Sequence, residues 1–314
     1  MAGYITDYFG YPISDYSDVA MESAQRSWCP FLDDTCTKKM QLDGTRIISG
    51  VCAVQQAGFG APEVICCPHR LYADHYQMLR DVAKLAFRAE YPLSSGRQAL
   101  TMATSTGTPT IAVFGHRWGG ELRLPKMDGR SNYFVDWVLA LLTPEGELDD
   151  FCAIEVQTID TTGNYRDSRR ALTPPQRDKV KSNVGLNWEN VNKRILPQII
   201  YKAQVLARES RCRSGMFFVT PVPVYDAIMS RLGGADQVQQ VGSLQPSSIT
   251  FLAYDFDNDK RHDGAPRRLM LARKHMSTHF EVQQAFNRAK LPDQNVYGKA
   301  ISEALGLEYR ASVE

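Results

Sequence analysis

Five cysteines crowded into the first quarter of the chain constrain its fold more than any other feature. Cys29, Cys36, Cys52, Cys66 and Cys67 lie close together in sequence, while Cys152 and Cys212 stand alone. The opening stretch MAGYITDYFGYPISD carries acidic residues and no basic leader, so it does not read as a secretory signal. In a reducing cytosol a disulfide framework is not expected, and a cysteine cluster reads instead as a metal site, with buried free thiols as the alternative. The spacing Cys29-x6-Cys36-x15-Cys52-x13/14-Cys66/Cys67 is wider than that of a compact zinc ribbon. Four thiolates suit Zn²⁺ and iron equally. Proline follows Cys29 in WCPFLDDTC and Cys67 in ICCPHR, which favours Cys67 over Cys66 as the fourth ligand.

The remainder has an ordinary globular composition, with 43% hydrophobic and 23% charged residues in 314. The longest strictly apolar run is Trp137 to Leu142, far short of the roughly 20 residues a membrane span needs. A soluble, cytoplasmic protein of bacterial type is the expectation. Net charge is only +1, but it is unevenly spread. Residues 1–150 hold 13 Lys and Arg against 18 Asp and Glu, and residues 166–213 hold 12 against 4. A local basic excess attracts a phosphate backbone even when the whole molecule is near neutral; a solvated helical face is the competing account.

Residues 1–75 read as irregular, turn-rich structure around the cysteines, with a short strand at Val64 to Cys66. Apolar spacing predicts a helix over 76–91, ended by Pro92. Strands are predicted at Thr110 to Phe114, Tyr133 to Leu142 and Cys152 to Asp160, the last two as a hairpin around TPEG and LDD. A helix from Trp188 to Arg208 with a kink at Pro197, a strand at Gly215 to Pro221, a helix at 224–232, a strand at 249–256 and helices at 280–288 and 297–305 complete the pass. Alternating strands and helices predict an α/β fold with a mixed central sheet. Two regions are expected: residues 1–75, four-cysteine and metal-binding, packed on a core of residues 76–314.

The hairpin carries the chemistry. Asp136 opens its first strand, and Glu155 and Gln157 sit two apart on the second, hence on one face. An acid from the paired strand completes an oxygen cluster suited to Mg²⁺. This is a D…(D/E)-x-K arrangement with Gln157 in place of the lysine; a neutral amide orients water but brings no charge.

Several stretches together resemble one family. FGYP, WCPF, SGVCAV, ICCPHRL, FGHRWGGELRLP, FVDWVL and IEVQT occur in order over about residues 9–160. In this combination the chain is similar to the NotI family of type II restriction endonucleases, EagI-like enzymes included. The resemblance implies a PD-(D/E)XK nuclease core and a structural four-cysteine iron site with Cys29, Cys36, Cys52 and Cys67 as ligands. It also implies Mg²⁺-dependent cutting of both strands of double-stranded DNA, and a homodimer. It maps active-site acids onto Glu121, Asp136 and Glu155, with Gln157 beside them, and the family pattern itself carries E-x-Q. Asp136 and Glu155 would hold Mg²⁺. Glu121 would complete the site or pair with Arg117 or Arg123. His116 could touch a phosphate.

Directly after the acid hairpin come Arg166, Arg169, Arg170, Arg177, Lys179 and Lys181, the expected DNA contacts, with 255–275 as a second contact loop. Two-fold symmetry implies a palindromic site, and the resemblance implies a GC-rich one. The competing functions are a metal-stabilised DNA-binding protein without hydrolytic activity and a nonspecific nuclease of a defence complex.

Overall fold

A computed structural model describes residues 3–58, 60–122, 134–164, 166–174, 177–258, 262–288 and 293–310. Its centre is one mixed sheet of seven strands. These are β1 (Leu93–Ser95), β2 (Thr110–Gly115), β3 (Trp137–Leu142), β4 (Leu148–Val156), β5 (Met216–Pro221), β6 (Ser248–Phe256) and β7 (Leu269–Thr278), in the spatial order β7-β6-β5-β4-β3-β2-β1. Strands β2, β3 and β4 form an antiparallel meander, β4, β5 and β6 run parallel, and the edges β1 and β7 are parallel and antiparallel to their neighbours. Five helices accompany the sheet: α1 (Ala73–Phe87), α2 (Gly96–Thr106), α3 (Leu196–Leu206), α4 (Val222–Arg231) and α5 (His279–Arg288).

The parallel centre follows from composition. MFFVTP in β5 is buried at every position and SITFLAYDF in β6 at all but one, as continuous apolar runs covered on both faces should be. Parallel neighbours need long crossovers, which α3 supplies between β4 and β5 and α4 between β5 and β6. Both helices sit where periodicity predicts them, although α3 begins later than expected. A π-turn at Val191–Ile195 precedes it, and Pro197 lies in its first turn, where a missing N–H costs nothing.

Other expectations give way. The first 75 residues are more regular than their composition suggests: Tyr11–Pro12, Gly3–Tyr8, Val51–Gln56 and Glu63–Ile65 form an antiparallel sheet, and Asp18–Arg26 is a helix capped by Ser17. Pairing Gly3 with Gln56 and Tyr8 with Val51 joins segments far apart in sequence. Helix α1 ends at Phe87 with Arg88 in the left-handed conformation, before Pro92. Strand β3 starts at Trp137, leaving Asp136 on the bend before it, and β4 spans Leu148–Val156 rather than 152–160. Strand β1 and helix α2 arise where no element is predicted. Part of the expected contact loop 255–275 is strand: Leu269 onward pairs with β6. Tyr133, Arg123 and positions 259–261 of that loop lie outside the described residues.

One continuous apolar core runs from Ile5 and Val51 through Cys152 and Phe218 to Ala285, so the cysteine-rich region and the large sheet share an interior. A buried charge network reinforces that junction. Arg267 Nη2 donates to Asp7 Oδ1 at 2.8 Å and its Nη1 to Glu63 Oε2 at 2.7 Å, while Arg70 Nε donates to Asp7 Oδ2 at 3.3 Å.

Candidate active site and cysteine cluster

The β3–β4 register brings the two principal acids together. Trp137 pairs with Ile154 and Val138 with Ala153, so one further step sets Asp136 opposite Glu155. Asp136 Oδ2 accepts a 2.7 Å hydrogen bond from the Val156 N–H, which closes the open end of the hairpin. Gly115 makes room for this end: a Cβ there would lie 2.2 Å from the Trp137 ring.

Glu155 is 9% exposed. Its Oε1 accepts from Lys202 Nζ of α3 at 2.6 Å, while Oε2 is buried and unpartnered in the structure. Burial pushes the Glu155 carboxyl up to about 7; the Asp136 charge adds to this and Lys202 opposes it. Asp136 is open to solvent as a residue, yet protein crowds its carboxylate as it would a buried group. The openness governs whether water or an ion can arrive, and the crowding governs the electrostatics. Loss of hydration therefore raises the Asp136 carboxyl, against the Val156 N–H and Lys202, with Glu121 adding to the rise.

Glu121 thus lies within electrostatic reach of Asp136, but it is exposed, and its partner is His116, at 3.7 Å between Oε1 and Nδ1. Arg117 pairs instead with Asp34 at 2.6 Å. Gln157 is half-buried, and its Nε2 donates to the Thr158 carbonyl at 2.7 Å. Lys202 is the group that motif reading did not single out. No local signal could have found it, since the crossover helix delivers it to Glu155 from 47 residues away.

Two carboxylates that feel each other's charge, one with its Oε2 orphaned, fit a hard divalent cation. In the cysteine cluster, Cys29, Cys36, Cys52 and Cys67 are buried and free, and the charge of Cys67 bears on each of the other three. Burial raises the Cys29 thiol to about 12. Cys67 accepts hydrogen bonds from Cys52 and His69, which favour its thiolate. Cys66 turns aside: Lys38 Nζ lies 3.4 Å from its Sγ and donates to its carbonyl at 2.8 Å. The donor set fits a soft or borderline metal. Among the described residues, however, no three His, Cys, Asp or Glu side chains are closed around a point as an ion would hold them.

The cysteines also reach the acids mechanically. Cys67 starts the 3₁₀ turn Pro68–Tyr72; Tyr72 meets the Trp137 ring edge-on at 5.4 Å, and Tyr76 packs on both. Trp137 is the neighbour of Asp136, so the cysteine region buttresses the strand that carries this acid.

The basic segment divides. Arg177, only 2% exposed, donates to the carbonyls of Ile13, Tyr11 and Pro12. Arg169 is half-buried, donates to the Ser49 carbonyl at 2.9 Å and covers the Tyr8 ring. Arg170 pairs with Asp43 and Asp167. These three tie the segment to the N-terminal sheet and its hairpin loop, because a guanidinium fork satisfies main-chain carbonyls or carboxylates as readily as phosphates. Arg166, Lys179 and Lys181 are exposed, with the Lys179 ammonium over the Tyr4 ring.

No helix among the described residues is long and apolar enough to cross a membrane. No curated protein matches the chain. The family model described as restriction endonuclease NotI matches residues 14–266, a span holding the cysteine cluster, the acid hairpin and Lys202. With most of its length matched, the chain belongs to the NotI restriction endonuclease family and is a type II site-specific endonuclease.

Proposed function

We propose that this endonuclease hydrolyses phosphodiester bonds in both strands of duplex DNA with Mg²⁺, acting as a homodimer on a short, palindromic, GC-rich site in a bacterial cytoplasm. The observation that carries the reading is the apposition of Asp136 and Glu155 across the β3–β4 hairpin. The succession α2-β2-β3-β4-α3-β5, a meander followed by a crossover to a parallel strand, supports a PD-(D/E)XK core.

In this reading Asp136 and Glu155 bind the ion, Glu121 approaches from the loop after β2, and Gln157 presents an amide on the face that Glu155 occupies. When bound, Mg²⁺ lowers the pKa of a water and offsets charge developing on the scissile phosphate. The protein's part is to hold two carboxylates rigidly, one by the Val156 N–H and the other by Lys202. Cys29, Cys36, Cys52 and Cys67 hold a structural iron or zinc ion that stiffens residues 1–75 as a metal-binding region on the nuclease core of 76–314. Exposed Arg166, Lys179 and Lys181 contact the DNA backbone. The palindrome follows from dimer symmetry, and the GC-rich preference from the family resemblance.

Incubation of the protein with a sequenced plasmid, with Mg²⁺ or with EDTA, tests this. Discrete fragments that require Mg²⁺ are expected. A smear would indicate a nonspecific nuclease, and retarded but uncut plasmid a binding protein only.

A further inference from the structure

The Glu155-x-Gln157 pair leaves the acid hairpin without the lysine that a D/E-x-K pattern carries. The Gln157 amide is neutral and already donates to the Thr158 carbonyl. Charge is nevertheless present. Lys202 Nζ stands 2.6 Å from Glu155 Oε1, and among the described residues Lys202 is the only cation paired with either hairpin acid. Its side chain is 16% exposed. Lys202 lines one cavity with Val135, Val138, Val205 and Leu206, an apolar setting in which an ammonium needs a partner such as Glu155.

The rest of α3 gives this lysine no packing reason to be there. Leu196, Ile199, Ile200, Ala203 and Leu206 already bury the helix against the sheet. A largely enclosed Lys–Glu pair gives little stability that an apolar pair of the same volume would not match. A cation held against a metal-binding carboxylate, by contrast, has a chemical use.

Resting on the assignment of Asp136 and Glu155 above, we infer that Lys202 is the displaced lysine of this active site, a positioning residue that supplies from α3 the charge Gln157 cannot. It holds Glu155 in place on β4 and offsets part of the negative charge of the acid pair. Residues two apart on a strand share a face, so a lysine at 157 would approach Glu155 from the same strand. The role is therefore transferable in a way that a packing role is not.

The test uses the full-length protein as Lys202→Met, Lys202→Arg, Glu155→Ala and the double variant Gln157→Lys/Lys202→Met. Plasmid cleavage, thermal midpoint and Mg²⁺ binding by calorimetry without DNA are measured. Lys202→Met leaves the enclosed Glu155 without its partner and should melt lower than wild type; the protein that remains folded should cut about 100-fold more slowly, the scale of losing one preorganised charge. It should also bind Mg²⁺ more tightly, because the two carboxylates lose their competing cation. Lys202→Arg should retain part of the rate, and Gln157→Lys/Lys202→Met should cut about tenfold or more faster than Lys202→Met alone. Lys202→Met cutting at the wild-type rate while Glu155→Ala is inactive overturns the lysine inference and spares the acids. So does an inactive Lys202→Met with unchanged Mg²⁺ affinity and no recovery in the double variant. An active Glu155→Ala overturns the acid assignment itself.

Discussion

The carboxylate of Asp136 accepts a hydrogen bond from the main-chain N–H of Val156, the residue after Glu155. One side chain therefore fastens the open end of the β3–β4 hairpin and sets its own charge against the second acid. These two jobs separate by substitution. Asp136→Asn keeps an oxygen acceptor for the Val156 N–H but loses the charge, whereas Asp136→Ala loses both. Both variants, and Glu155→Ala, should lose cleavage while duplex binding in EDTA stays within a few-fold of wild type. Only Asp136→Ala should also lower the thermal midpoint, by the equivalent of about 1–2 kcal/mol for one hydrogen bond to a charged group. Cleavage rates, gel shifts and melting curves decide it, and an Asp136→Asn enzyme that still cuts would remove Asp136 from the active site.

Glu155 makes stability depend on pH in an unusual sense for an acid. Burial raises its carboxyl in the fold to about 7, from an ordinary 4.5, the Asp136 charge adding to the shift. Between those values the folded protein retains a proton that the unfolded chain has released, so stability falls as pH rises through the window. Below it both states are protonated and the effect vanishes. Glu155→Gln cannot ionise. Without divalent ions its melting temperature should match wild type near pH 4.5 and exceed it increasingly towards pH 8, by at most about 3 kcal/mol. Parallel melting profiles across that range would show that Glu155 ionises normally.

How much of this was legible in the sequence depended on the range of each interaction. The β3–β4 hairpin was legible because two apolar strands flank a short turn, and a period of two fixes which residues face each other. Lys202 was not, because it lies 47 residues beyond Glu155, past a small hairpin, a short helix and a π-turn. The N-terminal sheet failed for the same reason: GYITDY and VCAVQQ pair across an intervening helix and several short strands. Strand β7 was hidden by its position, since an edge strand exposing Arg273 and Lys274 has the composition of a basic loop. Charge counting identified residues 166–213 as basic but could not see that Arg177 is spent on carbonyls.

The doubled cysteine can be resolved by single substitutions. Cys67 interacts with Cys29, Cys36 and Cys52, whereas Cys66 is held by Lys38. If the four thiols hold the proposed metal, Cys67→Ser should release it and lower the melting temperature sharply, since ligand binding energy is folding energy. Through Tyr72 and Trp137 it should also slow cleavage. Cys66→Ser should retain about one metal ion per chain and lose at most about 1–2 kcal/mol of stability. Elemental analysis of the purified variants checks this, and equal metal loss from both would mean that the two thiols share the ion.

The basic segment yields a sharper contrast. Arg177 is enclosed and satisfies three main-chain carbonyls that join the segment to the chain at Tyr11–Ile13. Its removal takes a charged donor from each of these carbonyls, of which Pro12 keeps the Asp15 N–H, so Arg177→Ala should cost on the order of 3 kcal/mol of stability. It should leave the salt dependence of DNA binding unchanged in whatever protein remains folded. Lys179 and Lys181 are exposed, and their alanine variants should melt like wild type. If each meets a phosphate, each loss should reduce the slope of log K against log salt by about one. Binding measured between low and moderate salt, beside melting curves, separates the two kinds of residue. An Arg177→Ala protein of normal stability and reduced salt slope would return that arginine to the DNA interface.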